Sequence, residues 1–260
     1  LGMCPLSLEN FLRENTKLHK DGFSYNKVTG RRVKACVPMH TFGHPVELDG
    51  IMSICERYNI EVVEDAAESL GSYYKGKHTG TIAPVGVLSF NGNKVITCGG
   101  GGIILLQDER SAKRAKSLTT TAKIPHKWEF DHSEMAYNYR LPNLNAALAC
   151  AQMESLKSFL SNKQETAAKY RNYFKSKVID FVDTPKDCVS NFWLNAIVLK
   201  DLDERNEFLK FSNNQGVMTR PVWKLMSELS AYKDCMKMNL SNAEYFADRV
   251  VNIPSSVRTL

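Results

Sequence analysis

The sequence predicts an α/β layer fold. A short apolar run from Ile60 to Val63 ends in the acidic pair Glu64-Asp65 and lies between helical segments. A run of that kind is typical of a strand buried in a parallel sheet. Strand and helix patterns also alternate from the start of the chain to about Asp108. This alternation favours helices packed on a mostly parallel sheet.

The elements of this first part follow in order. Ser7 is placed to cap a short helix that runs through Thr16, and Arg32 to Val37 reads as a strand. Pro45 opens a helix with Val46, Met52, Ile54 and Cys55 as its apolar positions. Two further strands are predicted at Val85–Phe90 and Ile103–Leu106.

Helix is predicted to dominate from Ser111 to about Val178. One apolar helix face is formed by Leu144, Ala147, Leu148 and Ala151, and a second stripe by Ala167, Tyr170, Phe174 and Val178. Pro142 suits a first helical turn. After Asp180 the pattern changes, so we place a domain change near residue 160, with domains at 1–160 and 161–260.

The second domain is predicted to mix strands and helices. Its strands are expected at Phe192–Leu199 and Val217–Val222, and a helix at Glu204–Phe211. Ser241 and Glu244 have the spacing of a capping box before a last helix that ends near Val250.

Composition excludes several classes of protein. The 260 residues carry a net charge of +6, but the basic residues are scattered, so we expect no nucleic-acid partner. The sequence has no run of about 18 apolar residues, so we expect no membrane span. Its seven cysteines form no C-x-x-C pair, so neither a metal site nor a disulfide framework is expected. Free thiols favour a cytoplasmic location.

Two stretches carry candidate chemistry. Asp65 ends a predicted buried strand, at the edge where open α/β sheets bind ligands, although it could instead only cap a turn. Lys94 precedes a run of glycines, Gly99 to Gly102, that permits close approach of the backbone to a ligand. Taken alone, Lys94 could be a surface lysine and the glycines a flexible hairpin. The P-loop order of glycine and lysine is absent.

Together these stretches resemble the DegT/DnrJ/EryC1/StrS family of sugar aminotransferases, which depend on pyridoxal phosphate. The family pattern is an E-D-A-A segment, then G-S, then S-F-x-x-x-K and a glycine-rich turn. Its counterparts here are Glu64–Ala67, Gly71-Ser72, Ser89 through Lys94, and Gly99–Gly102. A further family block matches at 137–147, and the resemblance covers nearly the whole chain.

The resemblance extends to the LegC-type subgroup through segments 38–45, 89–94 and 251–256. It implies transfer of an amino group, from glutamate, to a UDP-linked 4-keto-6-deoxy sugar of the legionaminic-acid or bacillosamine type. The implied fold is that of type I pyridoxal-phosphate aminotransferases. Family members carry a phosphate-binding turn and a ring-stacking aromatic residue that we do not find before Lys94. We therefore expect the N-terminal part of the large domain to be lacking and the isolated chain to be a poor enzyme.

The resemblance also assigns roles. Lys94 would hold the cofactor covalently and Asp65 would pair with its pyridine nitrogen. Ser89 would donate a hydrogen bond to the cofactor phosphate, and Asn138 would reach the phosphate of the neighbouring subunit, which implies a homodimer. Glu68 stands where many family members carry glutamine, a donor to the phenolic oxygen of the cofactor. An ionised glutamate cannot donate, so Glu68 is either protonated, turned away or a subgroup marker.

Three further residues are candidates for contact with the sugar nucleotide. Arg220 suits a diphosphate, and Trp223 can stack on a sugar or base. His40 stands beside a turn and is either a substrate contact or a core histidine. Three alternatives to the aminotransferase remain: a dehydratase on the same fold, a non-catalytic binding protein and an inactive fragment. Lys94 disfavours the dehydratase, whose relatives carry histidine at that position.

Overall fold

A computed structural model of the protein describes residues 1–258. The helices are α1 (Pro5–Asn15), α2 (Leu48–Arg57), α3 (Glu109–Thr119), α4 (Asn143–Lys175), α5 (Leu202–Asn214) and α6 (Ser241–Ala247). The strands are β1 (Thr16–Leu18), β2 (Ser24–Asn26), β3 (Ala35–Cys36), β4 (Glu61–Asp65), β5 (Tyr73–Tyr74), β6 (Lys77–His78), β7 (Val85–Ser89), β8 (Gly102–Leu106), β9 (Asp180–Phe181), β10 (Cys188–Val189), β11 (Asn195–Val198), β12 (Arg220–Pro221) and β13 (Val250–Ile253). Short 3₁₀ turns lie at Thr41–Gly43 and Met226–Glu228.

The first sheet has the strand order β3-β4-β7-β8. The pairs β3–β4 and β4–β7 are parallel, and β8 runs antiparallel to β7. One face of β4 is covered by α1 and α2, where Leu12, Ile51, Cys55 and Val62 are buried together. The predicted α/β layer and its buried central strand are therefore confirmed.

The second sheet has the order β12-β13-β11-β9 and is antiparallel throughout. Alternate residues of β11 and β13 point to opposite faces, as the two-residue period of a strand requires. Ile197 and Val251 pack with Phe174 of α4 on one face. Ala196 and Val250 pack on the other face against Phe42, which belongs to the first half of the chain. The two halves thus share a core.

Helix α4 joins the two sheets. Its 33 residues run without interruption through residue 160, so the predicted position of the domain change lies inside a helix, and the division into two domains stays a prediction. Ala167 and Phe174 of the predicted second stripe are buried as expected. The first stripe is uncovered, since Leu144 is 87% exposed and Leu148 43% exposed. The apolar face that these residues form on α4 is therefore not buried by the other described residues of the chain.

Several predicted elements differ from the structure. Residues 120–142 are not helical, because Thr121 and Ala122 adopt positive φ and the chain then turns back on itself through the bridge between Thr120 and Asn138. Val178 lies beyond the end of α4 and is 95% exposed. Helix α1 begins at Pro5, a residue suited to a first turn, so Ser7 lies inside the helix instead of capping it.

The remaining differences are in length. Ser241 is the first residue of α6 rather than its cap, and the helix ends at Ala247. The predicted strands at Arg32–Val37 and Val217–Val222 shorten to the two-residue β3 and β12.

All seven cysteines are free thiols. Within residues 1–258, none of the helices combines the length and the apolar character needed to cross a bilayer.

Candidate active site

Two neighbouring parallel strands end at the candidate site. Asp65 is the last residue of β4 and pairs in register with Val87 of β7, two residues before Ser89. One carboxylate oxygen of Asp65 accepts a hydrogen bond from the amide of Ala67 at 3.1 Å, which turns the chain directly after the strand. Asp65 is therefore half-buried at the carboxyl edge of the sheet, where the predicted binding edge lies.

Glu64, beside Asp65, faces the interior and fixes the loop behind the site. Its carboxylate accepts hydrogen bonds from the amides of Gly80 at 2.6 Å, Ile82 at 2.6 Å and Ala83 at 2.5 Å, and from the ring of His40 at 3.2 Å. Burial by itself raises the pKa of Glu64, but these hydrogen bonds outweigh it and hold the pKa below the ordinary value. Sequence reasoning selected Asp65 of this acidic pair and assigned no role to Glu64.

Lys94 lies in the loop that follows β7. The base of the loop is closed by two main-chain hydrogen bonds of Phe90. Its carbonyl accepts from the amide of Cys98 at 3.1 Å, and its amide donates to the carbonyl of Gly101 at 2.9 Å. The side-chain nitrogen of Lys94 stands 4.2 Å from the ring centre of Trp193. Burial lowers the pKa of Lys94, while the negative charges of Glu68 and Asp65 oppose that shift. Lys94 therefore has a larger neutral, nucleophilic fraction than a solvated lysine.

Glu68 is buried beneath the site. One of its carboxylate oxygens accepts a hydrogen bond from the amide of Phe42 at 2.8 Å. Phe42 adopts a φ of 60°, in the left-handed region that a bulky residue rarely enters, and the carboxylate helps to hold it there. Burial raises the pKa of Glu68, although the Phe42 amide and the charge of Lys94 act in the opposite direction. A raised pKa favours the protonated form, in which a glutamic acid can donate as well as accept.

Aromatic rings form one wall of the site. Trp193 and Trp223 are nearly parallel, with an interplanar angle of 12° and ring centres 6.0 Å apart. The ring centre of Phe42 lies 5.7 Å from that of Trp223. Trp223, a sequence candidate, thus joins the cluster around Lys94 and remains half exposed. Trp193 was missed by sequence reasoning, because nothing local marks it as different from other residues of an apolar strand.

Asn191 ties the segments of the site together. Its side chain donates to the carbonyls of Glu68 and Leu70, both at 2.9 Å, and accepts from the amide of Trp193 at 2.8 Å. Gly43 has a φ of +91°, and a Cβ atom there would lie 1.8 Å from the side-chain oxygen of Asn191. Only glycine permits this close approach, so the turn that carries Phe42 packs directly on the residues that carry Glu68 and Trp193.

His40 requires a correction. It is completely buried, and both ring nitrogens are engaged: Nδ1 accepts from the amide of Val46 at 3.1 Å, so Nε2 carries the hydrogen and donates to Glu64. A ring in that position has no nitrogen left for a substrate. The prediction of a substrate contact at His40 is therefore wrong, and the alternative of a core histidine is the correct one.

Arg220 and Asn138 lie apart from these contacts. The guanidinium of Arg220 donates to the side chain of Asn213 at 3.1 Å and to the carbonyl of Thr219 at 2.9 Å, at the end of α5. Asn138 is exposed and pairs with Thr120 in the segment between α3 and α4. Their predicted roles toward a diphosphate and toward a neighbouring subunit stay predictions.

The assembled groups define a chemistry. An amine of lowered pKa lies over an indole ring and feels the charges of two acidic side chains, at the carboxyl edge of a parallel sheet. A neutral lysine amine can attack a carbonyl carbon, and it can also accept and return a proton. The arrangement suits covalent capture of an aldehyde followed by proton transfer.

Comparison with known proteins agrees with this chemistry. A model of the DegT/DnrJ/EryC1/StrS aminotransferase family matches residues 24–259, which is nearly the whole chain. The chain belongs to this family. The family resemblance expected from the E-D-A-A and S-F-x-x-x-K segments is thereby confirmed.

Two curated proteins are among its relatives. One, from Bacillus subtilis, is named a putative pyridoxal phosphate-dependent aminotransferase, EpsN; it is 34% identical over 85% of this chain and 54% of its own length. The other, a GDP-perosamine synthase from Escherichia coli O157:H7, is 31% identical over 88% of this chain and 62% of its own length. The chain thus spans between about half and two thirds of the curated relatives that it matches.

Solved structures of the family share the fold. An aminotransferase of this family from Brucella abortus superposes with a TM-score of 0.84 at 23% identity, over 98% of this chain and 65% of its own. Helicobacter pylori PseC, an aminotransferase involved in the biosynthesis of pseudoaminic acid, gives 0.83 at 22% identity, over 89% and 64%. The predicted aminotransferase fold class is confirmed by both.

Proposed function

We propose that this chain carries the lysine-bearing part of a pyridoxal-phosphate-dependent sugar aminotransferase, with Lys94 as the residue that binds the cofactor covalently. The observation that carries the proposal is the position of Lys94: a half-buried amine of lowered pKa, covered by Trp193 and influenced by the charges of Asp65 and Glu68. Membership of the family, and the naming of one relative for pyridoxal phosphate, support it.

The residues present fit this cofactor. Asp65 has one carboxylate oxygen bound to the Ala67 amide and a second that can accept from a protonated pyridine nitrogen. The hydroxyl of Ser89 accepts from the amide of Asn91 at 3.3 Å, so its own hydrogen can be donated to a phosphate. When bound, pyridoxal phosphate supplies an electron sink that lets an amino group pass between two substrates.

Lys94, Asp65 and Glu68 then have separate tasks. The side-chain nitrogen of Lys94, once free, would take a proton from a substrate carbon and return it, and its lowered pKa enlarges the neutral fraction that can do so. The carboxylate of Asp65 keeps the ring nitrogen protonated through a charge-assisted hydrogen bond. Glu68, when protonated, can donate to the phenolic oxygen as glutamine does in other members of the family.

The substrate we propose is a nucleotide-linked 4-keto-6-deoxy sugar, with glutamate as the amino donor. Trp223 supports this choice, because a half-exposed indole next to Trp193 offers a flat face for a sugar or base. Within that class we favour a UDP-linked 2-acetamido sugar of the legionaminic-acid or bacillosamine type, as the LegC-like segments suggest. The relative named for GDP-perosamine makes a GDP-linked sugar the necessary comparison. Arg220 is proposed to contact the diphosphate.

A second copy of the chain is the partner we propose. The segment that carries Asn138 displays exposed apolar side chains: Trp128 at 71%, Phe130 at 81% and Met135 at 86%. The first turns of α4 add Leu144 to this uncovered surface. A surface of this kind is typical of a subunit interface, and a dimer formed there would bring Asn138 toward a neighbouring site.

The test uses borohydride reduction of the protein after addition of pyridoxal phosphate, followed by mass mapping of the peptides. We expect the pyridoxyl group on Lys94, and its appearance on another lysine would refute the assignment. Lys113 or Lys157, both exposed, provides the background level of labelling in the same sample. Glutamate-dependent amination of UDP-linked and GDP-linked keto sugars, assayed in parallel, then distinguishes the two proposed substrate classes.

A further inference from the structure

Trp193 is held at all three of its polar groups. Its amide donates to the side-chain oxygen of Asn191 at 2.8 Å, and its carbonyl accepts from the side-chain nitrogen of Lys163 at 3.2 Å. Its indole nitrogen donates to the carbonyl of Asn93 at 2.7 Å. The side chain is only 4% exposed, so the ring has one fixed position.

This position controls Lys94 from two sides. The indole hydrogen bond grips the Asn93 carbonyl, which belongs to the peptide group directly before Lys94. The face of the same ring covers the side-chain nitrogen of Lys94 at 4.2 Å. Both the main chain and the amine of Lys94 are thus located by one side chain that lies about 100 residues away in sequence.

Lys163 is an unusual residue for its location. It lies in the middle of α4, is 4% exposed, and donates to two main-chain carbonyls, that of Trp193 and that of Ser255 at 2.5 Å. Burial lowers the pKa of Lys163 to about 8. A buried ammonium is unfavourable, and a methionine of similar length would fill the same space without that penalty. Packing alone therefore does not explain a lysine here.

We propose that Lys163 is a positioning residue for Lys94 and acts through Trp193. Its ammonium fixes the Trp193 carbonyl against α4, and the fixed indole keeps water from the amine of Lys94. The link from Lys163 to Trp193 to Lys94 stands on the contacts of this chain, and its importance for catalysis rests on the function proposed above for Lys94.

The experiment measures the amine of Lys94 directly in the full chain without cofactor. Trace labelling with acetic anhydride across a pH series, with Lys94 acetylation counted by peptide mass spectrometry, reports how much neutral amine is present at each pH. In Lys163→Met the released indole admits water, so the midpoint of the labelling curve should rise. A rise of one pH unit lowers labelling near neutral pH by about tenfold.

Two comparisons separate positioning from general structural damage. Lys157→Met makes the same substitution at an exposed position of the same helix and should leave the labelling of Lys94 within about twofold of wild type. In a Trp193→Leu background, Lys163→Met should cause no further change, because the intermediary has been removed. A folded Lys163→Met protein with unchanged labelling, or an equal effect in both backgrounds, would overturn the proposal.

If Lys163→Met does not fold, Trp193→Phe tests the second half of the link, from Trp193 to Lys94, since it removes the hydrogen bond to Asn93 and leaves a smaller ring. The Lys94 midpoint should again rise, and an unchanged midpoint would overturn the proposal. Addition of pyridoxal phosphate distinguishes the two levels of inference. If acetylation of Lys94 depends on Lys163 as predicted but pyridoxal phosphate does not attach to Lys94, only the proposed function is refuted. If pyridoxal phosphate attaches to Lys94 but acetylation of Lys94 does not depend on Lys163, only the positioning role is refuted.

Discussion

Replacing Glu64 with glutamine keeps the shape of the side chain but turns one carboxylate oxygen into an NH₂ group. In the structure each oxygen accepts twice: Oε1 from the amides of Ile82 and Ala83, and Oε2 from the amide of Gly80 and from His40. An NH₂ group cannot accept, so in either orientation two donors lose their partner. Hydrogen bonds to charged groups contribute about 1.5–3 kcal/mol each, so we expect a loss of about 3–6 kcal/mol in the free energy of unfolding.

Urea denaturation followed by circular dichroism measures this loss. Glu61→Gln, on the same strand but exposed, is the matched control and should change stability by less than about 0.5 kcal/mol. The pKa of Glu64 is lowered in the folded state, so its contribution is complete above the ordinary value of 4.5 and is lost as pH falls through the lower folded pKa. The difference between wild type and Glu64→Gln should therefore shrink in acid.

A Glu64→Gln protein within about 1 kcal/mol of wild type at neutral pH would refute this reasoning. It would mean that water or a rearranged loop replaces the carboxylate as acceptor. If the stability difference between wild type and Glu64→Gln stays constant down to strongly acid pH, the assigned ionisation of Glu64 is contradicted.

Three further predictions concern other parts of the chain. Burial lowers the pKa of Lys163 from 10.5 to about 8, which corresponds to about 3 kcal/mol. As the pH rises from about 8 to 10.5, the free energy of unfolding of the wild type should therefore increase relative to that of Lys163→Met, as measured by denaturation curves of both proteins. Gly43→Ala should lose about 2–4 kcal/mol, because its Cβ would displace Asn191 and the residue has positive φ; unchanged thermal stability would contradict the close approach. In chains that also carry the upstream segment of a relative, Lys94→Ala and Asn138→Ala forms that are each impaired alone should recover activity when mixed as hybrid dimers, and no recovery from confirmed hybrids would place Asn138 outside the shared site.

The sequence predicted the part of the site that is local in the chain. Asp65 ends one strand and Lys94 lies in the loop that follows the next, and the apolar patterns of both strands are visible in the sequence, so their place at one edge of the sheet follows from the pattern. Trp193 and Lys163 could not be found in this way. Their roles depend on contacts with residues 100 and 30 positions distant, and no local signal marks such pairs.

The errors in secondary structure have physical causes as well. The apolar spacing between Ser111 and Val178 predicts helix throughout, but Thr119, Thr120 and Thr121 are β-branched and disfavour its continuation. Helix α3 ends at Thr119, and α4 begins only after Pro142. The exposed stripe of α4 shows the limit of periodicity: Leu144 and Leu148 reveal an apolar face, but the pattern does not say which surface covers it.

The paired indoles, one of which covers the amine of Lys94, give the protein a built-in optical reporter. The chain has three tryptophans, and two of them, Trp193 and Trp223, stand at the site, whereas Trp128 is 71% exposed on a distant segment. A Trp128→Phe variant would therefore emit only from the site. Arrival of a cofactor, closure around a sugar or loosening of the wall would each register as a change in emission, in a protein that needs no added dye.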